Sequence, residues 1–472
     1  MDRHATALQV AAAIRAREVS PSEVLEHYLA EVDRLDPVLN AFSLRDDERA
    51  RAEARAADDA VAAAGRDGTD LAPFAGVPIP IKDLYDVEGW VTGHGSLAVP
   101  EVPAEEDELS VRRLRGAGFV LMGKTTTPEF GAISCTECAR TGITRNPWDT
   151  DHTPGGSSGG AAAAVAAGMA PVGHASDGGG SIRIPSSCNG LVGLKPSRGR
   201  VTSRVADIVG ASTNGVVAID VADAAALLDV LGPLDPGAWN VAPPSARPYS
   251  EEVGVSPGRL RVRLCVDNAI GLPVDPECAE AARSVADTLS DLGHEVKEAP
   301  PVWPDAGRFL EHFVTIWNTL SVLVPLTDES KLEPQNAAAF AASRLTDAFG
   351  LLGAEDALQR ASRAFTAQFG PEGDFDVLVG PTMSVLPPEA GTIMAGVEEV
   401  PEAPVMNGVP MACYTALFNA SGQPAISLPA HVSASGLPVG VQIAAAPWRE
   451  DVLVRLASQL EQARPWAPLP EL

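Results

Sequence analysis

Positive charge is scarce in this chain. Its 35 Lys and Arg face 62 Asp and Glu, for a net charge of −27. A surface that acidic repels phosphate backbones and anionic lipid, which argues against nucleic-acid and membrane partners. No stretch approaches the roughly 18 apolar residues of a membrane span. The opening MDRHATALQVAAAIRAREVS lacks a basic segment followed by a long apolar block and a cleavage site. The cytoplasm is the expected location. Cysteine is sparse as well. Cys135, Cys138, Cys188, Cys265, Cys278 and Cys413 are the six in 472 residues, and they read as core thiols, not a disulfide framework. Cys135 and Cys138 form a lone C-x-x-C with no second pair and no H-x-x-x-H, so no structural zinc site is expected. The eight histidines (His4, His27, His94, His152, His174, His294, His312 and His431) are scattered without ligand spacing.

What is present is ordinary for a globular protein: 45% hydrophobic and 21% charged residues. Ser20-Pro21-Ser22-Glu23 is a capping-box pattern with Pro at the first helical position. Val24, Leu25, Tyr28, Leu29, Val32 and Leu35 then recur on one helical face. Residues 46–64, 159–168, 223–231, 275–292, 452–461 and most of 307–370 also read as helix. Strand-like runs fall at 77–81, 119–122, 170–175, 260–265, 295–298, 375–379, 424–429 and 439–443. The proline-interrupted run at 77–81 suits a sheet edge. Alternating strands and helices predict an α/β fold, a sheet covered by helices on both faces. Length alone allows two or three domains. Only the Pro-, Gly- and Ser-rich stretch 232–258 resembles a boundary, and the late strands are expected to rejoin the sheet. We therefore read 1–472 as one domain, with a core at about 70–215 and a helical insertion at about 259–370.

Three segments carry chemistry. Lys82 sits in the apolar stretch Phe74–Leu84. Burial disfavours an ammonium, and a neutral lysine amine can act as a base; the competing reading is an ion pair with Asp83 or a side chain that snorkels to water. Gly178-Gly179-Gly180-Ser181 follows a predicted strand. Its glycines can turn their N–H groups one way to hold an oxyanion beside Ser181, or simply make a tight turn. Gly155-Gly156-Ser157-Ser158-Gly159 matches G-x-S-x-G, yet the polar, proline-bearing 146–154 is not the strand that a nucleophile elbow requires. Gly118–Thr125 matches a P-loop pattern, but its large apolar spacer Phe119-Val120-Leu121-Met122 reads as a strand, not a phosphate-cradling loop, and Lys124 as a basic residue at the strand's end.

Together these segments resemble the amidase signature family of Ser-cisSer-Lys hydrolases. The resemblance rests on FAGVPIPIKD at 74–83, GKTTTPEFG at 123–131, TRNPWDTDHTPGGSSGG at 144–160 and SDGGGSIRIPSSCNGLVGLKPSRGRV at 176–201. Weaker similarity continues at 375–382, 422–430 and 436–443. Ser157 follows Lys82 by 75 residues and Ser181 follows Ser157 by 24, both similar to the family's intervals.

The resemblance implies a central mixed, twisted sheet. It implies Ser181 as nucleophile, Ser157 as a relay serine after a cis bond from Gly156, and Lys82 as base. It implies an oxyanion hole from the amides of Gly178, Gly179, Gly180 and Ser181, with Gly131 lining the pocket. Ser158, Asp177 and Arg183 would be supports. No metal or cofactor is implied. Gly178 stands where the family usually has Thr or Ile, and Thr126 where Asn is common. Both departures bear on specificity.

A helical face with Phe309, Phe313, Trp317 and Leu320 is a candidate pocket wall, with Trp317 the candidate substrate contact. The implied activity is hydrolysis of small, aryl or oligomeric amides, with carbamates and esters as further substrates. The alternative is the glutamine-amidase subunit of a tRNA-dependent amidotransferase, which the acidic charge disfavours. A monomer or homodimer is expected.

Overall fold

The computed structural model describes residues 1–67, 70–203, 210–303, 308–320 and 323–472. The capping box at Ser20 forms as read: its hydroxyl accepts from the Glu23 amide, and the Glu23 carboxylate accepts from the Ser20 amide. The helix Pro21–Leu39 buries the face read from the sequence. Each fully buried large apolar side chain there contributes about 1.5–3 kcal/mol relative to exposure.

Eight strands form the main sheet. Their order is Glu295–Glu298, Arg261–Leu264, Val377–Pro381, Pro438–Ala445, Ala425–Val432, Val192–Lys195, Thr213–Ala218, Val172–Asp177. The first three are parallel and the rest pair antiparallel, so the sheet is mixed. The late strands do rejoin the sheet. The stretch 259–370 gives it Arg261–Leu264 and Glu295–Glu298 as well as carrying helices.

A separate three-stranded sheet runs Phe42–Leu44, Val120–Thr125, Pro78–Lys82. Pro78–Lys82 is an edge strand, as its prolines require, and it packs beside Val172–Asp177 of the main sheet. The P-loop-like segment is the strand Val120–Thr125, fully buried. The two sheets thus meet at one seam.

Helices cover both faces. Pro276–Asp291, Glu450–Ala463 and Val221–Leu231 cluster on one, and the fully buried Gly159–Ala166 touches Arg183–Asn189 on the other. The short strands Val192–Lys195 and Thr213–Ala218 and the helix Ala7–Ala16 were not anticipated. No helix among the described residues is long and apolar enough to cross a membrane.

Candidate active site

The three chemical segments converge at the seam. Lys82 ends its strand with a fully buried side chain. Its Nζ lies 2.9 Å from Ser157 Oγ and 3.1 Å from Ser176 Oγ, the latter on the neighbouring sheet. Burial lowers its pKa to about 7, against a weaker upward pull from Asp177. The lysine is therefore partly neutral near neutral pH. The Gly156–Ser157 bond is cis. Ser158 caps the start of Gly159–Ala166 in sequence, and its hydroxyl bonds both the amide and the carbonyl of Ser176. That ties the Ser157 loop to the strand ending at Asp177.

Ser181 is 8% exposed and faces the same cavity as Ser157 and Ser176. Ser157 and Ser181 are not hydrogen-bonded to each other in this resting state; a link of this kind commonly tightens only with substrate bound. Below Ser181 lies a buried polar cluster. Asp177 accepts from Arg183 Nε at 2.9 Å, Arg183 Nη2 at 2.9 Å and Asn419 Nδ2 at 2.9 Å. Arg183 also reaches Gln442, Asn419 and the Thr415 carbonyl. Burial alone would raise the Asp177 pKa, but the Arg183 guanidinium holds it well below the usual carboxylate range.

Asp177 also takes the Gly180 amide, at 2.7 Å. The Gly180 amide is thus committed to folding the turn, where the expectation had the amides of Gly178, Gly179, Gly180 and Ser181 all open. Arg183→Leu should remove about 3–5 kcal/mol of stability by stranding a buried carboxylate. Urea melts at pH 7 check this. Because the Asp177 pKa is lower folded than unfolded, the pair's stabilisation is whole above about pH 4 and fades as pH falls further.

Two cavities meet at Ser181. One is lined by Ile133, Ile184, Phe313, Trp317, Val405 and Val409, and no charged residue is among its described lining. The other holds Ser157, Ser176, Tyr85, His94, Asn214 and Asn336. Gly131 and Trp317 border both. Gly131 has φ +68°, and a Cβ there would lie 3.0 Å from Ser157 Oγ, so only glycine fits against that hydroxyl.

Trp317 stacks on Phe313, and its Nε1 donates to the Ala132 carbonyl at 3.1 Å. A Cβ added at Gly178 would lie 3.0 Å from the Trp317 ring. The space that a Thr or Ile side chain would need at 178 is thus filled by the indole, so Gly178 does not simply widen the site. Phe309 lines the apolar cavity; the side chain of Leu320 is outside the described residues. Thr126 is fully buried and bonds Thr144 Oγ1, and it lines neither cavity. No cluster of three or more His, Cys, Asp or Glu able to hold a metal occurs among the described residues.

The amidase family model matches residues 23–454. The chain belongs to the amidase signature family. A 6-aminohexanoate-cyclic-dimer hydrolase of Paenarthrobacter ureafaciens is 38% identical across 96% of this chain and 93% of its own. The solved structure of a 6-aminohexanoate cyclic dimer hydrolase with substrate superposes with a TM-score of 0.92, at 36% identity, over 99% of this chain and 98% of that one. A peptide amidase from Stenotrophomonas maltophilia follows at 0.79 and 27% identity, over 98% of both. This amidase is accordingly an amide-hydrolysing enzyme. The amidotransferase-subunit alternative is not favoured.

Three features of this amidase site escaped the sequence reading. Ser176 is a second partner of Lys82, and only its place on the strand beside Pro78–Lys82 reveals that. Asn419 and Gln442 arrive from more than 230 residues away to satisfy Arg183. Lys124, read only as a basic residue at a strand's end, pairs with Asp83. That contact removes the competing reading in which Asp83 pairs with Lys82.

Proposed function

We propose that this enzyme cleaves uncharged carboxylic amides through an acyl-enzyme on Ser181. The observation that carries the reading is a fully buried lysine Nζ 2.9 Å from Ser157 Oγ, with Ser181 facing the same cavity. Neutral Lys82 takes the Ser157 proton as Ser157 takes that of Ser181. Ser181 Oγ attacks the carbonyl carbon, and the amides of Gly178, Gly179 and Ser181 are assigned to hold the oxyanion. The proton returns through Ser157 to the leaving nitrogen as the C–N bond breaks. Water then hydrolyses the acyl ester by the same relay.

Ser157 lines the cavity that carries Ser176, Asn214 and Asn336, so the leaving amine belongs there and the acyl group in the other, apolar one. An apolar cavity without charge favours uncharged acyl groups, since a buried unpaired charge is costly. The relatives named for a cyclic amide dimer fit that picture. Six unpaired cysteines suit a reducing, cytoplasmic setting.

A panel of amides, anilides, carbamates and esters, with uncharged and carboxylate-ended acyl chains of equal length, tests this. Turnover of uncharged amides and anilides is expected, with carbamates and esters as further substrates. Absence of any amide turnover, together with no fluorophosphonate labelling of Ser181, would sink the reading.

Gly178→Thr should lower kcat/KM about tenfold by pressing on Trp317. Gly178→Thr/Trp317→Ala should relieve the clash, and steady-state kinetics on one anilide decides it.

A further inference from the structure

The peptide between Gly179 and Gly180 is held at both ends. Its N–H, on Gly180, donates to Asp177 Oδ1 at 2.7 Å. Its carbonyl, on Gly179, accepts from the Thr415 hydroxyl at 2.6 Å. Thr415 lies between the helices Ala403–Ala412 and Ala416–Ala420, 236 residues away, and is fully buried. Its hydroxyl has a second acceptor within reach, the Ala412 carbonyl at 3.2 Å. That carbonyl already takes the Thr415 amide, at 3.1 Å, so the one hydroxyl proton goes to the closer Gly179 oxygen. The Thr415 carbonyl in turn accepts from Arg183 Nη1 at 3.0 Å, and Arg183 also grips Asp177. One guanidinium thus fixes both jaws of the clamp. Gly180 has φ +137°, and a Cβ there would collide with the Thr415 hydroxyl. Glycine at 180 is what lets that side chain come so close to the backbone.

We propose that Thr415 is a positioning residue for the loop that receives the oxyanion: its hydroxyl turns the Gly179 carbonyl into the core and keeps that oxygen off the reacting centre. The inference rests on Ser181 as the nucleophile and on its loop as the oxyanion site. A peptide between two glycines meets little steric resistance to flipping. Gly179 lines the apolar cavity together with Ser181. A flipped peptide would take its oxygen away from Thr415, and a carbonyl dipole turned the wrong way repels the charge that develops on attack. Asp177 holds only the N–H end, and its carboxylate is shared with Arg183 and Asn419. Thr415 is not part of the described lining of either cavity, so it acts through the backbone and not on substrate.

The test compares wild type with Thr415→Val, which keeps the shape and loses the hydroxyl, and Thr415→Ser, which keeps the hydroxyl. Each is assayed for kcat and KM on one anilide. Each is also titrated with a trifluoromethyl ketone of the same acyl group, which forms a tetrahedral oxyanion on a serine. Circular-dichroism melting establishes that each is folded. Thr415→Val should lower kcat about tenfold or more, leave KM within about twofold, and weaken the ketone by a factor similar to that in kcat. Thr415→Ser should recover most of both losses. A packing role alone would not separate the ketone from the substrate. Unchanged kcat in folded Thr415→Val overturns the proposal. So does a fall in kcat with ketone affinity intact, or a loss in Thr415→Ser as large as in Thr415→Val. Thr415→Ala, read the same way, decides if Thr415→Val does not fold. Undiminished ketone binding in Ser181→Ala would remove the nucleophile reading, and this proposal with it, by a separate observation.

Discussion

Ser181→Ala will reduce kcat for amide turnover by about 10⁴–10⁶-fold while the protein stays folded. The size of the loss follows from the chemistry. Without a nucleophilic oxygen no acyl-enzyme forms, and only orientation and the proposed oxyanion amides remain to assist water. The fold should survive because the change removes one oxygen from a residue at the cavity surface. Asp177, Arg183 and Asn419 beneath it keep their bonds. Three measurements check this together: turnover, circular-dichroism melting, and labelling by a fluorophosphonate, which should vanish. An active Ser181→Ala protein would mean that the nucleophile is elsewhere. Ser157→Ala then becomes informative, since a nucleophile at Ser157 is the reading that the G-x-S-x-G match alone would have favoured.

Lys82→Ala and Lys82→Arg should each cost about 10²–10⁴-fold at neutral pH. The arginine variant is the sharper test. It keeps length, charge and donors, but guanidinium does not deprotonate in proteins and cannot be a base. The wild-type kcat/KM should rise with pH through about 7, where Lys82 loses its proton, and then level. At one pH unit below that point only about a tenth of the enzyme holds a neutral lysine. Both variants should lack this limb. Full activity of Lys82→Arg at pH 7 would contradict the base role.

The same shift has a sign for stability. The folded pKa is below that of an unfolded lysine, so the unfolded chain binds more protons between about pH 7 and 10.4, and stability gains from this residue as pH rises through that window.

The sequence made the local pieces legible and left their partners obscure. Lys82, Ser157 and Ser181 could be named because each lies in a compact motif with a recognisable spacing. The helix after Ser20 was readable because its cap and its buried stripe are both local patterns. The strands Val192–Lys195 and Thr213–Ala218 were not, since they gain their identity from neighbours in the sheet, and the first is only four residues long.

The fate of Asp83 was equally hidden. Its nearest cation along the chain is Lys82, and only the parallel pairing of two strands shows that Lys124 is the one it meets. The Gly180 amide was misjudged for a related reason. Three glycines announce freedom of the backbone, but which N–H turns inward depends on where the Asp177 carboxylate points. Thr126 was likewise read as bearing on specificity from motif position alone, and its hydroxyl bonds Thr144 inside the core.

The seam between the two sheets has a mechanical meaning. Lys82 arrives on a three-stranded sheet, and its partners Ser157 and Ser176 belong to the other side. Among the described residues no backbone ladder stitches Pro78–Lys82 to Val172–Asp177; side chains alone fasten that joint. The spacing that matters to the reaction is therefore a tolerance between two separately built parts, not a dimension within one. Activity is expected to be a sensitive gauge of how well those parts are seated, since a misplacement of about 1 Å can cost about 10²-fold in rate while both sheets stay intact.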